Sequence, residues 1–410
     1  MKKLHAGHWL GLALFLVVPL AVVAPKGEVI LLVFVALPLL ARTISRGSYR
    51  QALRSPLVIV LTLLLLWGAA SAVWALDPVS ALHRAGTLAL LAAAAIAVLT
   101  ATDLLLDEER RVVRWAAVFG LIFGCALLVI ELIAGLPFNS ALRDSTEWIK
   151  PTILNGALSV TAILAWPAAL IVRQHKGPWL AVVLMLLVVV VLILGEGNSA
   201  RVAFGLAAVI AALTLHWPAT ASRAVIVIAV AGILTAPILP GSFLAPERWS
   251  ETLSQTTDSV IHRLHIWHFS AERIAEKPIA GWGLDTSRII PGGEVEVIHK
   301  GARMQLHPHN AALQIWLELG IPGALGLAAI VLIALLSARY LPREAKAASF
   351  ATTATALAIA SLSFGIWQHW WLATLALAAV SVKIATAGAE PPHSPPERPT
   401  LQSRSASRRG

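Results

Sequence analysis

Arg201, Arg263 and His309 are the residues of this chain whose types and settings best suit them to chemistry. Arg201 follows a tight turn in Gly197-Asn198-Ser199-Ala200-Arg201 and opens an apolar run, so its guanidinium is expected at the outer mouth of a helix bundle. Arg263 lies in the segment 258–276, where Val260, Leu264, Trp267, Ala271 and Ile274 recur at helical spacing and predict an amphipathic helix. At about 100° per residue, Arg263 falls about 60° from Val260 and faces the bundle, whereas Arg273 points toward water. Each guanidinium offers a planar fork of hydrogen-bond donors and keeps its charge. His309 stands in Leu306-His307-Pro308-His309-Asn310, directly before the helical pattern Ala311 to Leu319. The positive end of a helix dipole disfavours imidazolium, so His309 is expected to be neutral and able to accept a proton, as a general base does. His307, two residues away, is an alternative base, and Asn310 is the expected N-cap. Each residue also has a plainer reading: a snorkelling arginine, an arginine stem covering apolar surface, or a loop histidine.

Supporting candidates are weaker. Arg84, beside His83, sits at an outer helix start, where it would meet glycan, phosphate or headgroups. Glu318 precedes the break Gly320-Ile321-Pro322-Gly323; if the break separates a short outer helix from the true span, Glu318 lies near the surface and supports the site. The glycines of Pro278-Ile279-Ala280-Gly281-Trp282-Gly283 read as conformational, in a turn that returns the chain across the mouth. Asp77, before Pro78, reads as turn chemistry.

These residues need a scaffold, and composition says what kind. With 58% hydrophobic and 13% charged residues and a mean hydropathy of +0.77, the chain has lipid as its main solvent. The expected fold is an all-α integral membrane protein with about 12 transmembrane helices. Apolar runs lie at 9–24, 28–41, 56–76, 84–102, 112–135, 152–173, 178–195, 201–217, 223–239, 321–338, 347–363 and 368–386. The organisation is a bundle over 1–239, a long helical loop over 240–308 between the ninth and tenth spans, further spans over 309–386, and a disordered cytoplasmic tail over 387–410. On alternate sides of these runs stand fifteen Lys and Arg against five, which puts both termini in the cytoplasm and the long loop outside. The run after Lys2 and Lys3 is expected to remain as the first helix instead of being cleaved.

The formal charge of +10 is scattered over short connections, pointing to membrane lipids and away from nucleic acid. Trp67, Trp74, Trp148, Trp217, Trp367 and Trp370 fall near run ends, as headgroup anchors do. The single cysteine, Cys125, permits neither an intramolecular disulfide nor a cysteine metal site.

Ser199-Ala200-Arg201 at a helix start, Arg263 four residues before Trp267, Pro278 to Gly283, and His309-Asn310 followed by Leu313-Gln314, Glu318-Leu319-Gly320 and Gly323 together resemble the O-antigen ligase/polymerase superfamily, most closely its ligase branch. The resemblance is sharp over about 195–330. It implies a glycosyltransferase of the bacterial inner membrane that takes a glycan from undecaprenyl diphosphate on the periplasmic face, with no cofactor, nucleotide sugar or metal. For the ligase branch it implies inverting transfer to the sugar core of lipid A in lipopolysaccharide biosynthesis. Arg201 and Arg263 would then hold the diphosphate and His309 would activate the acceptor hydroxyl. The absence of any Asp-x-Asp fits arginines in place of a divalent cation. A polymerase on the same carrier would share the donor site. A lipid-linked oligosaccharide flippase would instead predict repeats and charges near the midplane, and a protein-targeted transferase would predict an extra soluble C-terminal region; neither pattern is present in the sequence.

Overall fold

The computed structural model describes residues 5–143, 149–245, 249, 258–297 and 302–387. In chain order its α-helices are α1 (Ala6–Val23), α2 (Gly27–Ser45), α3 (Tyr49–Leu53), α4 (Pro56–Ala70), α5 (Pro78–Ala101), α6 (Asp107–Ile133), α7 (Pro137–Arg143), α8 (Asn155–Lys176), α9 (Pro178–Leu194), α10 (Asn198–His216), α11 (Pro218–Leu234), α12 (Ile238–Gly241), α13 (Asp258–Glu276), α14 (Ala311–Ala338), α15 (Arg343–Leu362) and α16 (His369–Thr386). The fold is nearly all helical: among the described residues the only β-type pairing is one bridge between Glu296 and Ala302.

Among the described residues, ten helices are long and apolar enough to cross a membrane, and α9 and α11 are shorter apolar helices. Each of the twelve predicted runs falls on a helix. Proline punctuates their starts: Pro56, Pro78, Pro178 and Pro218 each occupy a first helical position, where the missing N–H costs nothing. Asp77 is turn chemistry as expected, capping α5 by accepting from the amides of Val79 and Ser80, both at 3.0 Å. Helix α8 is the axis of the bundle, with 83% of its apolar window buried, against α1, α6, α9, α10, α15 and α16. The predicted amphipathic helix is α13, and its Ile266, Phe269 and Ile274 pack on Leu313 and Leu317 of α14.

Three expectations change. Trp67 and Trp367 are struts within the protein: the Trp67 indole donates to the Leu319 carbonyl at 2.9 Å, and Trp367 is only 8% exposed. Trp217, 62% exposed, keeps the anchor setting. Arg273 does not stand free in water, because it pairs with Glu276 and lies over the Phe269 ring at 5.5 Å. Trp148 and the tail from 388 lie outside the described residues.

Candidate functional site

The site is built around a deliberate fault in α14. Gly320 has φ 62° and ψ −152°, and Pro322 supplies no N–H, so the carbonyls of residues 317–319 lose their helical donors. The turn after α13 and Trp67 of α4 replace them. Trp282 N donates to Leu317 O at 2.9 Å, Gly283 N to Glu318 O at 2.8 Å, and Trp67 Nε1 to Leu319 O. In return, Ile321 N donates to Pro278 O at 3.0 Å. The two backbones come so close that a Cβ on Gly281 would sit 2.5 Å from the Glu318 carbonyl, and one on Gly320 would collide with the Ile279 carbonyl. The break therefore separates Ala311–Leu319 from the rest of the helix, as the sequence predicts.

Glu318 does not lie near the surface, where the sequence reading puts it: it is 0% exposed. One carboxyl oxygen accepts from the Asp285 amide at 2.7 Å and the Trp367 indole at 2.6 Å; the other accepts from the Ser287 hydroxyl and from Gln314 Nε2 at 3.0 Å. Gln314 in turn accepts from Ile366 N at 2.9 Å. This one side chain thus pins the 281–287 turn and the 365–367 loop to the first turns of α14, and four donors suit a carboxylate.

His309 hangs from that platform. Its backbone is left-handed, φ 54°, an uncommon conformation for a residue with a side chain. Asn310 caps α14 as predicted, accepting from Leu313 N at 3.1 Å, and the Trp267 indole of α13 donates to Pro308 O at 2.9 Å. His309 Nδ1 lies 2.6 Å from the Ser363 carbonyl at the end of α15. A carbonyl only accepts, so Nδ1 carries the proton and Nε2 keeps its lone pair. Burial holds the His309 pKa below the ordinary histidine value; the Ser363 carbonyl opposes the shift, and the charges of Arg263 and His262 add to it. The ring is neutral as expected, with burial as the leading cause instead of the helix dipole.

His307 has a different job. Its Nδ1 accepts from His309 N at 3.1 Å, the rings lie 4.3 Å apart, and a Cβ on Gly365 would press within 2.8 Å of its Cδ2. Burial first, then His309 and Arg288, lower its pKa to about 3. With Nδ1 already accepting, His307 braces the left-handed turn that presents His309.

Arg263, on α13, is half-buried, and burial lowers its pKa. Its charge reaches His309. Arg201 is exposed on the first turn of α10, where its guanidinium donates to Gly195 O at 2.8 Å. Two residues earlier Ser199 Oγ reaches Leu362 O at 3.5 Å, next to the Ser363 carbonyl that holds His309. The corner at 362–363 therefore brings the start of α10 to the histidine. Arg84 is engaged elsewhere: it pairs with Asp285 at 3.2 Å and meets His369 Nε2 at 3.1 Å, and Asp285 also takes Arg288 at 3.4 Å. It is a strut between α5 and the turn.

Sequence reasoning missed Ser363, Asp285, Ser287 and Trp367. Of these only Asp285 carried a local signal, following Gly281-Trp282-Gly283-Leu284, where a short polar side chain tolerates its φ of 63°.

The fold defines the class as an all-α multi-pass membrane protein, in which the charge of Arg263 reaches a buried, neutral His309 and the start of α10 meets the same 362–363 corner. Comparison with known proteins narrows it. Residues 160–328 match the O-antigen ligase family, so the resemblance drawn from the motifs holds, and Arg201, Arg263, His309, Asn310 and Glu318 all lie inside the matched segment. The chain is 30% identical over 278 residues to the Rickettsia conorii protein named "Putative polysaccharide ligase RC0486", a match covering 65% of each chain. A Rickettsia bellii protein named "Putative polysaccharide ligase" is 28% identical over 278 residues, 65% of this chain and 66% of that one. A Rickettsia felis protein of the same name is 30% identical over 233 residues, 54% of this chain and 56% of that one. The match thus spans just under two thirds of the length of the first two curated relatives and just over half of the third.

Proposed function

We propose that the protein is an inverting, metal-independent glycosyltransferase that moves a glycan from undecaprenyl diphosphate to a sugar hydroxyl of the lipid A core, at the periplasmic face of the bacterial inner membrane. The observation that carries this reading is the fixed tautomer of His309: Nδ1 is held by the Ser363 carbonyl, and Nε2 is left as a base within the field of Arg263. The acceptor hydroxyl gives its proton to Nε2 as its oxygen attacks the anomeric carbon. The bond from that carbon to the diphosphate oxygen breaks on the opposite face, so the configuration inverts.

The leaving diphosphate gains negative charge, and Arg263 and Arg201 stabilise it more in the transition state than in the ground state. The Gly195 carbonyl that holds Arg201 is a weaker acceptor than a phosphate oxygen, so a donor can take the guanidinium over. A base in hydrogen-bond reach contributes about 10²–10⁴-fold. In this reading 240–308 is a periplasmic cap, both termini are cytoplasmic, and membrane lipids surround the bundle. The test is transfer of lipid-diphosphate-linked glycan to lipid A core by purified protein in detergent with chelator. Coupled product lost in Arg201→Ala, Arg263→Ala and His309→Ala supports the reading. A lengthened carrier-linked glycan would make the protein a polymerase, and neither product would favour a transporter.

A further inference from the structure

The end of the bundle opposite His309 carries a groove that the proposed chemistry does not use. Helix α9 packs chiefly on α8, whereas α10 packs chiefly on α15, so these consecutive helices leave a gap toward the end away from the Gly195–Gly197 turn that joins them. The gap is a cavity of about 330 Å³, within the span of about 300–1,000 Å³ typical of ligand pockets. Four helices contribute alanines to its wall, Ala169, Ala181, Ala211, Ala347 and Ala348, among larger apolar side chains that include Trp166. Any larger aliphatic side chain at those positions would occupy the space. The open side is flanked by Val182 and Leu186, 47% and 55% exposed, which face the hydrocarbon of the membrane.

At one end the groove is charged. Arg173, in the last turn of α8, pairs with Glu344, in the first turn of α15, and both line the mouth. Lys176, Arg343 and Lys346 stand on the same two turns, and Arg343 donates to the Leu215 carbonyl of α10. Lys176 turns to the Trp115 ring of α6 at 5.6 Å, and Arg173, Arg343 and Lys346 against the Glu344 carboxylate leave this rim with an excess of positive charge. An apolar slot open to lipid and ending in a basic rim matches an acyl chain that ends in an anionic headgroup.

We propose that this groove is a binding site for an anionic phospholipid in the leaflet opposite the candidate site: one acyl chain fills the alanine-lined slot, and the phosphate meets the rim formed by α8 and α15. The occupant also explains why the groove beside these five alanines stays open, because the lipid chain supplies the missing contacts.

The test is native mass spectrometry of the full-length protein titrated with dioleoyl phosphatidylglycerol or dioleoyl phosphatidylcholine. The wild type is expected to retain one phosphatidylglycerol roughly fivefold more tightly than phosphatidylcholine, the preference of about one engaged cation. Lys346→Gln is expected to shrink that preference. Ala348→Leu and, on a different helix, Ala211→Leu are expected to lose the tight adduct while keeping the wild-type melting temperature. Equal retention of both lipids by the wild type, or an undiminished phosphatidylglycerol adduct in either folded filling variant, overturns the proposal. The wild-type comparison needs no variant to fold.

Discussion

Replacing Glu318 by glutamine probes the platform on which the site stands. Glutamine keeps one oxygen and turns the other acceptor into an amide that donates. Asp285 N and the Trp367 indole can only donate, so the surviving oxygen must face them, at their 2.7 and 2.6 Å positions. The new amide then meets Ser287, whose hydroxyl can rotate to accept, and Gln314, whose amide cannot turn over without losing its bond from Ile366 N. One to two charge-assisted hydrogen bonds are lost, at about 1.5–3 kcal/mol each, which sums to roughly 1.5–6 kcal/mol. Each kcal/mol moves the melting temperature of a large chain by about 2 °C. Fluorescence-monitored melting in detergent should therefore fall by roughly 3–12 °C, with a parallel loss of glycan transfer. Glu318→Ala strands all four donors in a site with 0% exposure and should be worse still. A Gln variant that melts within about 1 °C of wild type would refute the claim that this carboxylate holds the turn and the loop to α14.

Other perturbations test neighbouring parts. Burial holds His307 at a pKa of about 3 in the folded protein against about 6.5 unfolded, so the stabilisation is complete above pH 6.5 and is lost as pH falls from 6.5 toward 3. Its slope should reach about 1.4 kcal/mol per pH unit in melting experiments, and His307→Gln should flatten it. Because the His309 pKa is also lowered, the acid limb of the transfer rate against pH should fall below pH 6.5; a limb centred above 6.5 would contradict the burial of that ring. Gly320→Ala, which forces a Cβ toward the Ile279 carbonyl at φ 62°, should cost more than about 2 kcal/mol and show as a lowered melting temperature. Trp267→Phe removes one bond to Pro308 O while keeping most of the packing, so it should cost about 1 kcal/mol in stability and slow transfer through the His309 turn.

What the sequence discloses here is what local physics writes into it. The stripe of α13, the Asn310 cap and the break at Gly320 each depend on residues within a turn or two of one another, so spacing reveals them. Ser363 is invisible to such reasoning: it matters only because its carbonyl meets a ring 54 positions earlier in the chain. The tryptophans mislead for a related reason. A ring at a run end looks the same whether its N–H meets a headgroup or a carbonyl freed by a distant kink, and Trp67 answers to Leu319, 252 residues away. His309 was legible as a neutral histidine, but the leading cause is burial by α13 and the 362–363 corner, which no local pattern encodes. The roles of Arg201 and Arg263 come from type and resemblance, and the structure adds their neighbourhood.

The most direct measurement of the central claim is the single-turnover transfer rate of His309→Asn against wild type. Asparagine can still donate to the Ser363 carbonyl and tolerates the left-handed backbone, but it offers no basic nitrogen. The variant is expected to melt like wild type, still bind the lipid-diphosphate donor, and transfer glycan about 10²–10⁴-fold more slowly. A folded His309→Asn protein that transfers at the wild-type rate would contradict the assignment of His309 as the base.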